Sequence, residues 1–384
     1  MKRNKGVQGI LHKVSTSLTR DVGSMIMRPT QLIATAALML AACVSAHALS
    51  LTPEQYSSPD VYSNLLVFSE RTGSELYAVD IASKRDAWVW SCGKRSIRTQ
   101  PTIVDGIAYI WAGNVMKDSR ACAVDCKTGK SVWETPAGGW TFSAAVVAGN
   151  VVLFSVAAHT DEIWAFDRTT GKRLWKQEGS EFHLVHGDTV LATTDEDTRL
   201  ALLDTQTGTP LFETALINEK YTETQADSNT NGIAIVGSRG VLLCLDIPRK
   251  NVLWRRHTSN QKWIPTLHGD SIYLVAGYPL AEGTRQELQI RSLQDGSIKN
   301  RITLTVNDST YFHPCVFEKT IVIASGGSLI ALDRMTFKER WQLNTGCIYN
   351  LTKYRDSLFV GGVGPYLWKV EAETGKKTWT YEGR

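Results

Sequence analysis

Past residue 50 the chain has no apolar run long enough to cross a bilayer, and from residue 60 onward it has no apolar spacing of three and four. The first absence excludes a helical membrane protein and the second excludes a helical body. Cysteine is scarce, seven in 384 residues. No two cysteines are adjacent, and no Cys-x-x-Cys pair or histidine partner accompanies Cys122 and Cys126, so the spacing of a zinc site is missing. His-Glu-x-x-His, a Ser/His/Asp order and a glycine loop for phosphate are absent too. These gaps leave no catalytic residue to assign and no metal ligand set.

A basic surface is also missing. The chain holds 42 Lys+Arg against 38 Asp+Glu. Residues 1–42 carry six of those bases and one acid, which leaves 36 against 37 in the remainder. Without a basic stripe interleaved with aromatics, nucleic-acid binding is disfavoured.

What the chain does contain is a repeat. A phrase of the form apolar–x–small–apolar–Asp, a turn often spelled Thr-Gly, and then Trp eight residues after the Asp recurs eight times, about every 42 residues. Asp80 leads to Trp88, Asp125 to Trp133, Asp167 to Trp175, Asp204 to Phe212 and Asp246 to Trp254. Ser292 leads to Asn300 in a degenerate copy, Asp333 to Trp341 and Glu371 to Trp379. Each unit also supplies four short β segments. In the second, Pro101-Thr102-Ile103-Val104-Asp105-Gly106 ends in a turn, an apolar run covers residues 107–111, a polar loop spans 113–120, and residues 121–125 and 131–134 close the unit. The Asp-Gly and Gly-Asn pairs provide the left-handed positions that hairpin turns need. Units of this size cannot bury their own apolar faces, so neighbours must stack. The predicted fold is all-β, an eight-bladed propeller of four-stranded antiparallel blades over residues 59–384, acting as a monomer. The repeated tryptophans are expected to pack between blades, since a ring burying about 200 Å² with one N–H suits such a seam. Phe212 keeps the ring without the donor. Asn300 keeps neither, which predicts that the sixth blade packs least well.

The phrases Leu76-Tyr77-Ala78-Val79-Asp80, Ile163-Trp164-Ala165-Phe166-Asp167-Arg168-Thr169-Thr170-Gly171 and Leu329-Ile330-Ala331-Leu332-Asp333 resemble the tryptophan-docking repeats of the pyrroloquinoline-quinone (PQQ)-like propeller superfamily. That superfamily holds both quinoprotein dehydrogenases and non-enzymatic scaffolds, and fold does not choose between them. PQQ is a flat trianion that needs a stacking plane, cations and a Ca²⁺ held by oxygen ligands. The resemblance further implies, for a dehydrogenase, a disulfide between adjacent cysteines and a catalytic Asp. Adjacent cysteines are missing, the chain is shorter than those enzymes, and the carboxylates Asp161, Glu162, Asp195 and Asp197 read as solvated loop residues. PQQ with calcium is therefore disfavoured and no cofactor is expected.

Residues 1–48 read as an export leader, with 49–58 as a linker. Six bases precede an apolar stretch at 32–42, too short to span a membrane, and Met25 or Met27 would serve as an alternative start. Two exits compete. Leu40-Ala41-Ala42-Cys43 resembles a lipobox, which would acylate Cys43 and, with Val44 following, favour the periplasmic side of the outer membrane. Ala46-His47-Ala48 fits an ordinary signal-peptidase site, which would leave a soluble periplasmic or secreted protein. Membrane contact is then expected only through the lipid. The six remaining cysteines allow fifteen pairings. Cys122 and Cys244 fall inside repeat strands and are expected to be small buried hydrophobes.

The links leading into each blade hold aromatic or histidine residues: Trp140, Phe182 with His183, Tyr221, Trp263, Tyr311 with Phe312 and His313, and Tyr349. A propeller would gather them on one face around the channel mouth, beneath the long 277–287 loop. These are the candidate partner-binding residues, set against the alternative that they only plug the channel. A lipobox leader followed by a propeller with these repeats is similar to the BamB-type lipoproteins of the outer-membrane β-barrel assembly machinery. That resemblance implies an envelope protein partner, a barrel-assembly subunit, and strand-edge contacts to client chains. The family's Arg-Gly-x-Ser-Ala-Pro stretch has no match here. The corresponding segments read Gln225-Ala226-Asp227-Ser228-Asn229 and Trp263-Ile264-Pro265-Thr266, so no partner-binding residue is carried over.

Overall fold

The computed structural model describes residues 59–69, 73–97, 99–114, 117–141, 143–157, 160–179, 181–194, 198–216, 224–238, 240–258, 263–276, 287–304, 312–325, 327–346, 348, 350–361 and 366–382. The leader, Cys43, Cys347, Tyr221, Tyr311, Tyr349, Asp195, Asp197 and nearly all of the 277–287 loop lie outside them. The described chain forms eight antiparallel sheets of four strands, each ordered as in sequence from the innermost strand outward. The blades occupy residues 60–91, 102–137, 146–178, 181–215, 225–257, 263–303, 315–344 and 350–382.

The core is not one mass. Eight hydrophobic clusters each join two neighbouring blades, so there are as many cores as seams. A middle strand is therefore buried on both faces. In blade 1, Leu66 and Phe68 turn toward blade 8 while Val67 turns toward blade 2. This explains why the second and third strands are buried almost without a break, as in Val151–Ala157, where alternation would otherwise mark a half-buried strand. Alternation returns only in the outermost strands, for example Arg173–Glu178.

The small residue of the repeat phrase has a steric cause. Ala78, Ala123, Ala165, Cys244 and Ala331 pair directly across from Trp88, Trp133, Trp175, Trp254 and Trp341. A register shift follows that pair in all eight blades. Such a bulge twists the outer strand and re-aims its side chains, and the ring is delivered to the next blade. Trp133 Nε1 donates to the Arg168 carbonyl at 2.9 Å, and Trp88, Trp175, Trp254 and Trp341 reach the matching carbonyls of Cys126, Thr205, Leu293 and Ala372. The acceptor is always the residue after the next blade's Asp position. That Asp folds the turn: Asp167 Oδ1 accepts from Thr170 N–H at 2.7 Å and from Thr170 Oγ1 at 2.8 Å. Gly171, at φ +70, would put a Cβ 2.6 Å from the Trp133 ring, so the turn glycine serves both the backbone and the seam.

Two sequence readings change. The polar stretch 113–120 is not a loop, because the second and third strands of blade 2 run on as Ile107–Asn114 and Lys117–Asp125. Asp161 and Glu162 likewise open the strand Asp161–Asp167, where Glu162 pairs with Lys176 at 2.8 Å. The weak sixth seam is filled from the other side. Phe337 stands where five of the turns have glycine, at φ 58, and packs into the blade 6/7 cluster.

Among the described residues no strand crosses between blades 1 and 8. They meet face to face through Leu66, Phe68, Val79, Phe359, Leu367, Trp379 and Tyr381. Trp379 Nε1 donates to the Ile81 carbonyl at 2.9 Å and Tyr381 Oη to Asp86 at 3.0 Å, so the docking tryptophan of the eighth blade itself seals the ring.

Candidate functional site

The links between blades and the loops between second and third strands share one end of the strands, and the described candidates sit at that end in three environments. Trp140 is half-buried and its backbone exchanges two hydrogen bonds with Ala157, at 3.0 and 2.8 Å, which adds a rung ahead of the first strand of blade 3. His183 is half-buried at a bulge in the first strand of blade 4, where pairing skips from Phe182 to Leu184. His313 leads into blade 7 and ties three blades together. Its Nδ1 lies 2.5 Å from the Pro265 carbonyl of blade 6 and its Nε2 3.2 Å from Gln225 Oε1 of blade 5.

Trp263 and Phe182 do not reach the surface. Trp263 is 1% exposed and packs with Ile235, Leu242, Cys244 and Trp254 in the blade 5/6 seam, while Phe182 is 5% exposed in the blade 3/4 seam. Both occupy a first strand whose inner end is covered by the preceding blade, so their rings are core rather than anchors. Trp263 pays a polar cost there, because among the described residues its buried Nε1 has no partner. Phe312 is part of the blade 7/8 cluster.

Exposed apolar side chains lie elsewhere. The outermost strands of blades 2 to 5 present Val132, Leu174, Leu211 and Leu253, each immediately before the docking ring and 48, 41, 36 and 47% exposed. Each stands on the outer edge of its sheet, where no further strand follows. Alternation sends the ring into the seam and the preceding residue to the opposite face.

Sequence reading also missed a polar inner ring. At one fixed position of the first strand, Asp60 Oδ2 accepts from Ile103 N–H at 2.8 Å and Asp227 Oδ2 accepts from Leu267 N–H at 2.7 Å, in each case from the next blade. At the same position Thr102, Thr266 and Thr352 donate to the carbonyls of Ala145, Pro314 and Pro59, at 2.7, 2.9 and 2.9 Å. Blades 1 and 2 thus repeat in blades 5 and 6, whereas the blade 4 counterpart of Thr352 is Leu184. The trace of that repeat in the sequence is the pair Pro101-Thr102 and Pro265-Thr266. Burial raises the Asp60 carboxyl above its ordinary value, with the Ile103 and Val61 amides opposing.

The thiols are withdrawn. Cys122 and Cys244 are fully buried, as expected, and burial pushes the Cys92 thiol up to about 11 and the Cys126, Cys244 and Cys315 thiols to about 12. Nucleophilic chemistry at those sulfurs is thereby disfavoured near neutral pH. Among the described residues, no three His, Cys, Asp or Glu side chains lie together as a metal would require.

Comparison with known proteins decides the family. The family model described as outer membrane protein assembly factor BamB matches residues 63–301. The chain belongs to the BamB family. A solved BamB from Moraxella catarrhalis superposes with a TM-score of 0.64 at 16% identity, covering 80% of this chain and 96% of that one. The BamB fold is wider than one role. The computationally designed Ika8 protein matches with a TM-score of 0.64 at 15% identity, covering 88% of this chain and 98% of its own. The dihydro-heme d1 dehydrogenase NirN matches with a TM-score of 0.65 at 12% identity, over 88% of this chain and 76% of that chain. In sequence, the quinohemoprotein alcohol dehydrogenase ADH IIB of Pseudomonas putida is 27% identical over 141 residues, 33% of this chain. The chain spans only 20% of that enzyme's length.

Proposed function

We propose that this propeller is a non-enzymatic interaction scaffold at the bacterial envelope and that its partner is a subunit of the outer-membrane β-barrel assembly machinery. The observation that carries the reading is the row of exposed aliphatics on the outer edges of blades 2 to 5, Val132, Leu174, Leu211 and Leu253. An open strand edge with outward apolar side chains is a template for strand addition or for a partner's apolar surface. BamB family membership supports the envelope setting. Acylation at Cys43 is the anchor this reading calls for, and Cys43→Ser should move the protein from the membrane to the soluble envelope fraction.

The test is affinity purification of the tagged chain from solubilised envelopes of its native host, followed by mass spectrometry. A barrel-assembly subunit should be recovered with the wild type and lost with the double variant Leu174→Asp/Leu211→Asp. Both positions are exposed, so the fold should survive. Recovery of no assembly subunit would sink the scaffold reading, and capture undiminished by the double variant would move the contact off this edge.

A second reading, a quinoprotein-type oxidoreductase, is favoured by the 141-residue likeness to ADH IIB. It predicts a Ca²⁺-dependent quinone absorbance that stays with the protein through gel filtration after incubation with PQQ.

A further inference from the structure

The return of the inner-ring pattern of blades 1 and 2 after four blades extends to a cation site on the opposite face, where the hairpin turns lie. In blade 3, Arg168 follows the turn Asp and reaches back to blade 2. Its Nε donates to the Tyr109 hydroxyl at 2.9 Å, and its Nη2 donates to the Val104 carbonyl at 3.1 Å and to Asp105 Oδ2 at 2.7 Å. Asp105 is the first residue of the turn between Val104 and Ile107, which pair, and its φ is 50. Four blades on, Arg334 occupies the place of Arg168 and Tyr273 that of Tyr109. The backbone matches as well: Arg168 N–H donates to Asn150 and Arg334 N–H to Lys319, both at 2.9 Å.

One member of the set is missing. His268 and Ser271 pair as Val104 and Ile107 do, so the turn position of Asp105 falls to Gly269. Arg334 lies against the Tyr273 hydroxyl, but among the described residues its buried Nε has no partner and no carboxylate pairs with it. Asp270, the next residue of the turn, points to Lys299 at 3.3 Å. Lys319 is held by Glu373 at 3.8 Å. The surroundings are positive. Burial, then Arg334 and Lys353, hold the half-buried His268 below its ordinary value. Lys353, exposed, reaches across from blade 8 to the Val316 carbonyl at 2.6 Å. The slot is open: a Cβ built on Gly269 meets nothing within 4 Å.

We propose that Arg334, with His268 and Lys353 at its rim, is a binding site for a carboxylate presented by another polypeptide, an acidic residue on a turn. The molecule itself supplies the template, because Asp105 fills the equivalent slot from its own chain. A guanidinium that is half-buried, oriented by a tyrosine and short of its counter-ion gains most from a carboxylate. A free small acid shares that chemistry, and the test separates the two.

The test uses the full folded protein and the His268 imidazole resonance as reporter. N-acetyl-Ala-Asp-Gly-Ala-amide, titrated at constant ionic strength, should shift that resonance saturably and raise the His268 pKa, since an added negative charge favours imidazolium. The Asn-Gly counterpart should not, and acetate should act only at concentrations at least about tenfold higher. Arg334→Gln should abolish the response. Gly269→Asp should fill the slot from within, removing the response and raising the melting midpoint by about 1–2 °C over Gly269→Asn, which carries the same backbone strain without the charge. Equal responses to the Asp and Asn peptides would overturn the proposal, as would a response to inorganic phosphate alone. So would Gly269→Asp no more stable than Gly269→Asn, together with an unchanged peptide response.

Discussion

At the scale of the residue, the docking tryptophan is the unit of stability. Trp133 is 8% exposed, gives its N–H to blade 3 and covers Gly171. Trp133→Ala should cost about 3–5 kcal/mol in denaturant unfolding. Gly171→Ala should also destabilise, because it combines a left-handed φ with a Cβ pressed into that ring. The turn aspartates predict the acid response. Hydrogen bonds from the turn hold the Asp125, Asp167, Asp246 and Asp333 carboxyls below their ordinary value, with the Thr336 backbone amide the largest cause at Asp333. A folded pKa below the unfolded one gives stability that is complete above about pH 4 and lost as pH falls through the folded value. Thermal melts should therefore decline steadily below about pH 4. Asp333→Asn should be less stable at pH 7 and lose less on acidification. Asp60 has the opposite sign: its raised carboxyl costs stability when ionised, and that cost is relieved as pH falls through its folded value.

At the scale of the element, the informative contrast is between a standard seam and the one joining blades 6 and 7. In five other seams a tryptophan from one blade meets a turn glycine of the next, while Lys84 and Lys250 hold that turn position in blades 1 and 5. Here Asn300 replaces the ring and Phe337 replaces the glycine, so bulk has crossed the seam. The exchange keeps the seam filled while placing a bulky residue at φ 58, which costs about 1–3 kcal/mol. Asn300→Trp alone should clash with Phe337, and Phe337→Gly alone should leave a void. The double variant restores the common arrangement and should be more stable than the sum of the two single changes predicts, a coupling readable in a double-mutant cycle. Amide exchange across blades would show whether this seam opens first. The inner ring works on the same principle with polar groups, since Asp60 and Asp227 satisfy amides of the neighbouring blade that no strand within the sheet reaches.

At the scale of the whole molecule, the ring closes by one more seam of the kind that joins every other pair. Its Trp379 ring, Tyr381 hydroxyl and Thr352 hydroxyl bridge residues nearly 300 apart in the chain, with separations of 298, 295 and 293. Trp379→Ala should therefore do more than remove one ring. An opened array of repeats behaves as a chain of nearest-neighbour units, so calorimetry should show a broader or split transition where the wild type shows one. An unchanged single transition would mean that the remaining face contacts suffice for closure.

The sequence by itself determined the number of blades, the strands of each and the place of the docking tryptophans, because period, turn chemistry and a small residue opposite a large ring are local properties. Asp167-Arg168-Thr169-Thr170-Gly171 states its own turn without help from any other residue. Only the tertiary structure decided which aromatics face solvent and how the two ends meet. Trp140 and Trp263 both stand at the threshold of a blade, yet one is half-buried and the other sealed in a seam. Burial there is set by the neighbouring blade, some forty residues away in sequence. The same distance hid the partners of Arg168 and Arg334. Asp105 and Gly269 differ at one turn position, and that difference became a statement about charge only when the fold set each arginine beside it.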